Sequence, residues 1–161
     1  MNQDLYPGTD RLTETYNLFE DFAVGDVIRH PRGKTVTDVD GEFIANLVMN
    51  TSHGHFNEHA MLSSEFGSRL LFGGITASLV VGLASQDTSE NAIEELTVDE
   101  VNLPVPVRHG DSLYAFTRVL EVRPESDTTG VVRFEHFGVN QDDAIVCRVI
   151  RTVRLPRRAG A

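Results

Sequence analysis

The sequence predicts a single α+β domain in which an antiparallel β-sheet wraps around one central, buried helix. One observation is a stretch from Ile75 to Ala84 that is apolar on nearly every side and follows a Gly73-Gly74 pair, because a helix of that kind must be buried. The other is a run of four β-like stretches after it, since helices and strands that are segregated along a chain are typical of the α+β class. A chain of 161 residues, 40% of them apolar, is long enough for one such core.

The part of the chain before the central helix predicts one helix that is well marked and several shorter segments. Thr37 supplies N-cap chemistry, and apolar residues such as Phe43 and Leu47 then recur at helical spacing. In chain order, the predicted segments are a loose arm at 1–17, an interrupted strand at 27–37, a helix at 38–48, a polar loop at 49–56 and a helical turn at 58–65.

The four stretches after the central helix are predicted to be antiparallel strands. The last one alternates clearly, with Cys147 and Val149 on one face and Arg148 and Arg154 on the other. A single sheet of this kind leaves an edge that invites pairing, so a homodimer or a dimer-built oligomer is expected. The predicted boundaries are strands at 93–103, 112–123, 129–141 and 144–155, a compact domain over 18–156 and a C-terminal tail over 157–161.

The charge balance excludes several classes of partner. The chain carries 24 Asp and Glu against 14 Lys and Arg, which gives a formal net charge of −10. An acidic chain is a poor ligand for nucleic acid phosphates and for anionic membrane surfaces. No apolar run approaches the roughly 20 residues that a membrane span needs, and the first residues match no secretory or transit pattern. Cys147 is the only cysteine, so a cytoplasmic protein without disulfides is expected.

A polar loop is the first candidate for chemistry, because three of the six histidines (His53, His55 and His59) fall within seven residues. Histidine is the usual general acid or base near neutral pH. The backbone N–H groups of Gly73 and Gly74, at the start of a helix, can stabilise a developing oxyanion. This combination suits acyl thioester chemistry. The residues alone leave two other interpretations open. One is a metal site, which is disfavoured because the histidine spacing matches no familiar zinc motif. The other is that the histidines only hydrogen-bond to the loop backbone.

Four motifs give the chain a resemblance to the MaoC-like dehydratase family, the R-specific enoyl-CoA hydratases with a hot-dog fold, in which a sheet wraps one helix. The resemblance covers about residues 20–155. The motif sequences are most similar to those of the subgroup that handles mesaconyl-, itaconyl- or methylmalyl-type thioesters. The motifs are a threonine-rich entry at 35–40, a histidine loop matched at Asn50, Ser52, His53, His55 and Asn57, an F-G-x-x-L-x-x-G segment matched at Phe66, Gly67, Leu70 and Gly73, and a P-V-x-x-G-D-x-L entry matched at Pro106, Val107, Gly110, Asp111 and Leu113.

The resemblance implies a hydro-lyase that adds water across the α,β double bond of an enoyl thioester, or removes it. His55 matches the family's acid/base histidine, and Gly73 matches the glycine whose N–H holds the thioester carbonyl. Asn50 stands where many members have an acid/base Asp, and a carboxamide can orient water but cannot take its proton. Three outcomes therefore stay open: His55 acts alone while Asn50 holds the water, Asp40 or Glu58 supplies a second proton step, or the site binds thioesters without turnover.

The remaining expectations concern the substrate. Arginine is the natural partner for CoA phosphates or for a second carboxylate, and an acidic chain that binds a polyanionic thioester should cluster its arginines near the site. The substrate is expected to be an acyl-CoA or acyl-carrier thioester, with no cofactor. The expected substrate-binding residues are Ser52, His53, Phe72, Gly74, Arg69 and Arg108.

Two other functions remain as alternatives for a hot-dog domain. The first is an acyl thioesterase, in which an Asp or Glu on the central helix activates water. It is disfavoured because residues 75–86 contain neither amino acid. The second is a non-catalytic protein that binds acyl-CoA or an acyl carrier.

Overall fold

The structure is a computed structural model that describes residues 16–160, so most of the predicted arm at 1–17 and the last residue of the predicted tail lie outside the described residues. A short 3-10 turn at Phe19–Asp21 precedes the first strand. The helices and strands that follow are β1 (Val27–Thr35), α1 (Asp38–Leu47), α2 (His53–Phe56), α3 (Glu58–Leu62), α4 (Gly73–Thr88), β2 (Glu94–Asn102), β3 (Ser112–Pro124), β4 (Thr129–Val139) and β5 (Ile145–Pro156).

The five strands form one sheet in the order β1-β3-β4-β5-β2, and every neighbouring pair is antiparallel. Helix α4 packs on this sheet, where Ile75 and Val80 join a buried cluster with Leu113, Val146 and Val149. The alternation predicted for the last strand holds, since Val149 is fully buried whereas Arg148 is half-buried. The predicted α+β class and the sheet wrapped around a central helix are confirmed.

Helix α4 differs from its prediction at both ends and on one face. It begins at Gly73 and runs to Thr88, so it includes Asp87, a carboxylate that the predicted limits left out. Gly74, Ser78 and Gly82 are exposed at every fourth position. In the single chain, therefore, six of the 16 residues of α4 are buried against the sheet, and a strip of small residues faces solvent.

Helices α1 and α2 differ in how well the local sequence predicts them. Helix α1 begins as predicted, with a capping box in which Asp40 N donates to Thr37 Oγ1 and Thr37 N donates to the Asp40 carboxylate. Hydrogen bonds from Lys34 and then Thr37 lower the pKa of Asp40 to about 2. Helix α2 was predicted as loop. Its Gly54 carbonyl accepts from the backbone N–H of Leu70, in a distant segment, at 2.9 Å, a contact that no local pattern indicates.

Strand β1 is interrupted as the sequence predicts. Its register with β3 shifts between Arg29 and Gly33, the stretch that contains Pro31. Within residues 16–160, no helix combines the length and apolarity needed to cross a membrane.

Candidate active site

Helix α2 and the segment just before α4 meet at His55. The Nδ1 atom of His55 lies 2.9 Å from the carbonyl oxygen of Leu70. A carbonyl can only accept, so Nδ1 carries the proton and Nε2 keeps its lone pair in the neutral ring. The ring also packs against Phe72, with centroids 5.5 Å apart. His55 is therefore held in one tautomer and one orientation, with the basic nitrogen free of the backbone.

The amino end of α4 supplies unpaired N–H groups next to this histidine. The first turn is closed by the amides of Ile75 and Thr76, which both donate to the Phe72 carbonyl. The amides of Gly73 and Gly74 have no acceptor among the described residues, and the Phe72 side chain does not cap them. Two N–H groups at the positive end of a 16-residue helix form a site that suits a carbonyl oxygen bearing negative charge.

Both glycines lie close to neighbouring side chains. A Cβ at Gly73 would collide with Leu103, and a Cβ at Gly74 would lie 2.6 Å from the Phe72 ring. Since Phe72 in turn contacts His55, a side chain at position 74 would disturb the ring that braces the histidine.

Asn50 lies in the turn that follows α1. Its backbone reverses at Met49, which has a φ of 55°. The Oδ1 atom of Asn50 accepts from the backbone N–H of Ser52 at 3.2 Å, and no described residue accepts from its Nδ2. The amide is thus anchored through its oxygen and has a donor left for a water molecule.

The other loop histidines are more exposed than His55. His53 Nδ1 accepts from Asn57 Nδ2 at 3.1 Å, and Ser52, next to it, is exposed. Among residues 16–160, no three histidine, cysteine or carboxylate side chains are grouped so that they could hold a metal ion.

The two predicted arginines do come together, in a cavity of about 300 Å³ that they line with Asp38, Glu58, Ser68 and His109. Their charges are not equally available. The Arg69 guanidinium donates to three carboxylates, those of Asp38 and Glu58 at 3.0 Å each and that of Glu42. The bond to Glu42, followed by that to Glu58, raises the pKa of Arg69.

Arg108, in contrast, donates to the Ser68 hydroxyl and pairs with no carboxylate in the part of the chain that the structure describes. The Asp111 carboxylate accepts from the backbone N–H of Arg108 at 2.7 Å, so Asp111 stabilises the turn that carries Arg108. Of the two arginines, Arg108 is the one with charge to spare for an anionic ligand.

A second polar cluster, which the sequence did not reveal, lies at the other end of α4. Asp87 accepts from His30 Nδ1, and Thr117 Oγ1 lies 2.7 Å from both His30 Nε2 and His136 Nδ1. All four side chains are buried. A spacing rule cannot find this cluster because the residues come from β1, α4, β3 and β4. Helix α4 is longer than predicted and includes Asp87, but this carboxylate is buried and bound to His30. It is therefore not available to activate water, as a thioesterase would require.

The fold and this site define a hot-dog protein of the MaoC-like dehydratase class. The model of the mesaconyl-CoA hydratase family matches residues 10–157, and the chain belongs to this family. The resemblance stated from the motifs is thus confirmed. A mesaconyl-CoA hydratase from Haloarcula marismortui is 34% identical over 134 residues, which cover 80% of this chain and 36% of the relative.

Two further comparisons agree with the assignment. A β-methylmalyl-CoA dehydratase from Chloroflexus aurantiacus is 27% identical over 158 residues, which cover 88% of this chain and 45% of the relative. A solved structure of a MaoC-like dehydratase from Rhodospirillum rubrum superposes with a TM-score of 0.77 at 26% identity, covering 89% of this chain and 99% of that one. The chain spans less than half the length of these curated relatives.

Proposed function

We propose that this chain is an acyl thioester hydratase/dehydratase, a hydro-lyase in which His55 is the acid/base group. The observation that carries the proposal is the hydrogen bond from His55 Nδ1 to the Leu70 carbonyl, which leaves the lone pair on Nε2. The same ring packs against Phe72, the residue just before the free amides of Gly73 and Gly74. A base and an oxyanion site side by side are what water addition to an enoyl thioester requires.

The proposed steps use one histidine twice. Nε2 takes a proton from a water molecule that the Asn50 amide orients, and the oxygen of that water bonds to Cβ. The electron pair of the double bond moves toward the thioester carbonyl, whose oxygen is stabilised by the Gly73 and Gly74 amides. The protonated Nε2 then gives its proton to Cα, which restores the neutral ring. Dehydration is the reverse sequence.

Asp40 and Glu58 were the candidates for a second proton step, and the contacts of both carboxylates argue against that role. Asp40 is engaged in the α1 capping box and with Lys34, and the Glu58 carboxylate is bound by Arg69. We therefore propose that His55 acts alone. The burial of Asp87 argues in the same way against a thioesterase.

The proposed substrate is a short, branched enoyl-CoA that carries a second carboxylate. The relatives are named for mesaconyl-CoA and β-methylmalyl-CoA, and Arg108 retains a charge that can pair with that carboxylate or with a CoA phosphate. An acyl-carrier thioester is the alternative carrier, and no cofactor takes part. Ser52, His53 and Phe72 are proposed to line the acyl site.

We also propose that the protein is cytoplasmic and works as a homodimer or an oligomer built from dimers. Strand β2 is last in the sheet order, and its Val98 and Val101 side chains are about half exposed, at 53% and 51%. A cavity of about 330 Å³ lies between β2 and α4. A second copy that pairs along β2 would cover this apolar edge.

The test replaces His55 and measures the change of mass by one water on mesaconyl-CoA, β-methylmalyl-CoA and simple enoyl-CoA thioesters. We expect His55→Ala to lower kcat/KM by roughly 10² or more, because a general acid/base contributes that much. His59→Ala is the matched control, since His59 is exposed on neighbouring α3. Unchanged turnover in His55→Ala would exclude this role for His55, release of free thiol would indicate a thioesterase, and thermal stabilisation without turnover a non-catalytic binder.

A further inference from the structure

Arg69 is the most heavily paired cation near the site. Its side chain is only 14% exposed, and its Nε, Nη1 and Nη2 atoms each donate to a different carboxylate. Asp38 and Glu42 lie on α1, and Glu58 begins α3. A single exposed ion pair contributes little to stability. A guanidinium that binds three carboxylates, however, connects α1 and α3 to the segment that contains Arg69.

That segment is also the surface on which His55 is oriented. Leu70, the next residue, accepts from His55 Nδ1 with its carbonyl and donates to Gly54 with its N–H. Leu71 is in turn fixed by its N–H, which donates to the Val107 carbonyl at 2.8 Å. The position of one carbonyl, at residue 70, therefore decides which nitrogen of His55 is protonated.

We infer that Arg69 is a positioning residue for His55 rather than a substrate-binding residue: its guanidinium holds segment 68–71 against α1 and α3, and so fixes the Leu70 carbonyl that sets the histidine tautomer. The donors of Arg69 already point at protein carboxylates, which leaves Arg108 to meet an anionic ligand. This inference rests on the proposed function for its effect on catalysis, but its effect on the tautomer does not.

Replacement of Arg69 by a neutral side chain removes the cation that the three carboxylates share. Without the guanidinium, the carboxylates of Asp38, Glu42 and Glu58 lose their shared counter-charge and repel one another. Segment 68–71 then loses its side-chain bonds to α1 and α3. The Leu70 carbonyl is held only through the backbone hydrogen bonds of Leu70 and Leu71 and the 3.4 Å bond from the Arg69 N–H to Glu58, so its position is less restricted. His55 can exchange between its two neutral tautomers, and only the Nδ1–H form presents a basic Nε2 to water.

The experiment compares Arg69→Gln with Arg154→Gln. Arg154 also binds two carboxylates, those of Glu94 and Glu125, but it lies on β5, so it is a matched control. The first measurement is long-range ¹⁵N–¹H NMR of the histidine rings, which distinguishes the two tautomers. We expect the wild type and Arg154→Gln to show the Nδ1–H form of His55, and Arg69→Gln to show a mixture.

The second measurement is the hydration kinetics. We expect Arg69→Gln to lower kcat at least about tenfold, because misorientation of the base affects the chemical step, while KM stays within about threefold. Arg69→Lys should recover only part of kcat, since an ammonium cannot reach three carboxylates in the geometry of the guanidinium.

Two results would overturn the inference: an unchanged Nδ1–H tautomer in folded Arg69→Gln, or a rise in KM at constant kcat, which marks a substrate-binding arginine. If Arg69→Gln does not fold, the double variant Glu42→Gln with Asp38→Asn removes two of the three carboxylate partners and keeps the arginine. The His55 tautomer and the separate changes in kcat and KM are then measured in that variant. If the wild type hydrates no thioester, the proposed function fails, and the tautomer measurement still tests Arg69.

Discussion

The two ends of α4 place histidines in opposite situations. Near the amino end, His55 bonds through one ring nitrogen to the Leu70 carbonyl and keeps the other free. Near the carboxyl end, about 20 Å along the helix, His30 has both ring nitrogens engaged, by Asp87 and Thr117. His30 is 2% exposed, whereas His55 is half-buried beside a loop.

This difference separates a group that stabilises the fold from a group that can do chemistry. The cluster around His30 resembles a catalytic triad in its order of carboxylate, imidazole and hydroxyl, but it is sealed in the core and a substrate has no access to it. A buried polar cluster is stabilising only while all its members are present. A catalytic histidine instead needs one tautomer, one free nitrogen and a path to solvent. Substitutions at the two ends of α4 should therefore affect different properties: stability at the His30 end and catalysis at the His55 end.

The largest effect is expected from Asp87→Ala. Removal of one partner from a buried hydrogen-bonded pair costs about 1–3 kcal/mol of the free energy of unfolding, because His30 loses the acceptor for its Nδ1 proton. Urea denaturation followed by circular dichroism measures the loss, and Glu90→Ala is the surface control just beyond α4. The molecules that remain folded should keep the wild-type kcat, the reverse of His55→Ala. A loss below about 1 kcal/mol would show that the cluster does not stabilise the fold.

A smaller effect is expected from alanine substitutions at two glycines of α4. In Gly74→Ala the new Cβ would meet the Phe72 ring, which braces His55, so kcat/KM should fall about tenfold. Gly82→Ala is the control, because nothing lies within 4 Å of its Cβ. It should leave kcat/KM unchanged and raise the free energy of unfolding by about 0.5–1 kcal/mol. Equal activity in the two variants would contradict the role given to Phe72.

The last prediction concerns the dependence of stability on pH. Complete burial, reinforced by the charges of Arg151 and His30, lowers the pKa of His136 well below its ordinary value of 6.5. The unfolded chain therefore binds a proton that the folded chain rejects, and stability falls as the pH drops below about 6.5, by up to about 1.4 kcal/mol per pH unit. Urea midpoints between pH 8 and pH 5 measure the slope. The variant His136→Gln should show a shallower slope, and an identical one would assign the effect to other groups.

Local patterns predicted the elements that have local causes. Helix α1 formed where Thr37 and Asp40 supply a capping box, and the last four strands came within a few residues of their predicted limits. Helix α2 was not predicted from local pattern, and its Gly54 carbonyl accepts from Leu70, a residue of a distant segment. The carboxyl end of α4 was placed too early for a similar reason, since Asp87 is a polar residue whose partners in the core, Asn17 and His30, are distant in the chain.

In the site, too, local motifs predicted some features, and others depend on residues that are distant in the chain. The motifs picked out His55, Asn50 and Gly73, and the structure places His55 beside the free amides at Gly73 and Gly74. Their proposed roles await the kinetic tests. The sequence grouped Arg69 with Arg108 as equivalent cations, whereas the structure gives Arg69 three carboxylate partners and Arg108 none within residues 16–160.

By itself, the sequence determined the class of the fold, the order of its elements and the loop that bears the histidines, because hydrophobic periodicity, caps and motifs act over a few residues. Only the tertiary structure decided which histidine keeps a free nitrogen, which arginine is already neutralised and that a buried Asp87–His30–Thr117–His136 cluster exists. These properties depend on hydrogen bonds and charges brought together from segments far apart in the chain, and the ionisation and availability of a polar side chain are set by such partners.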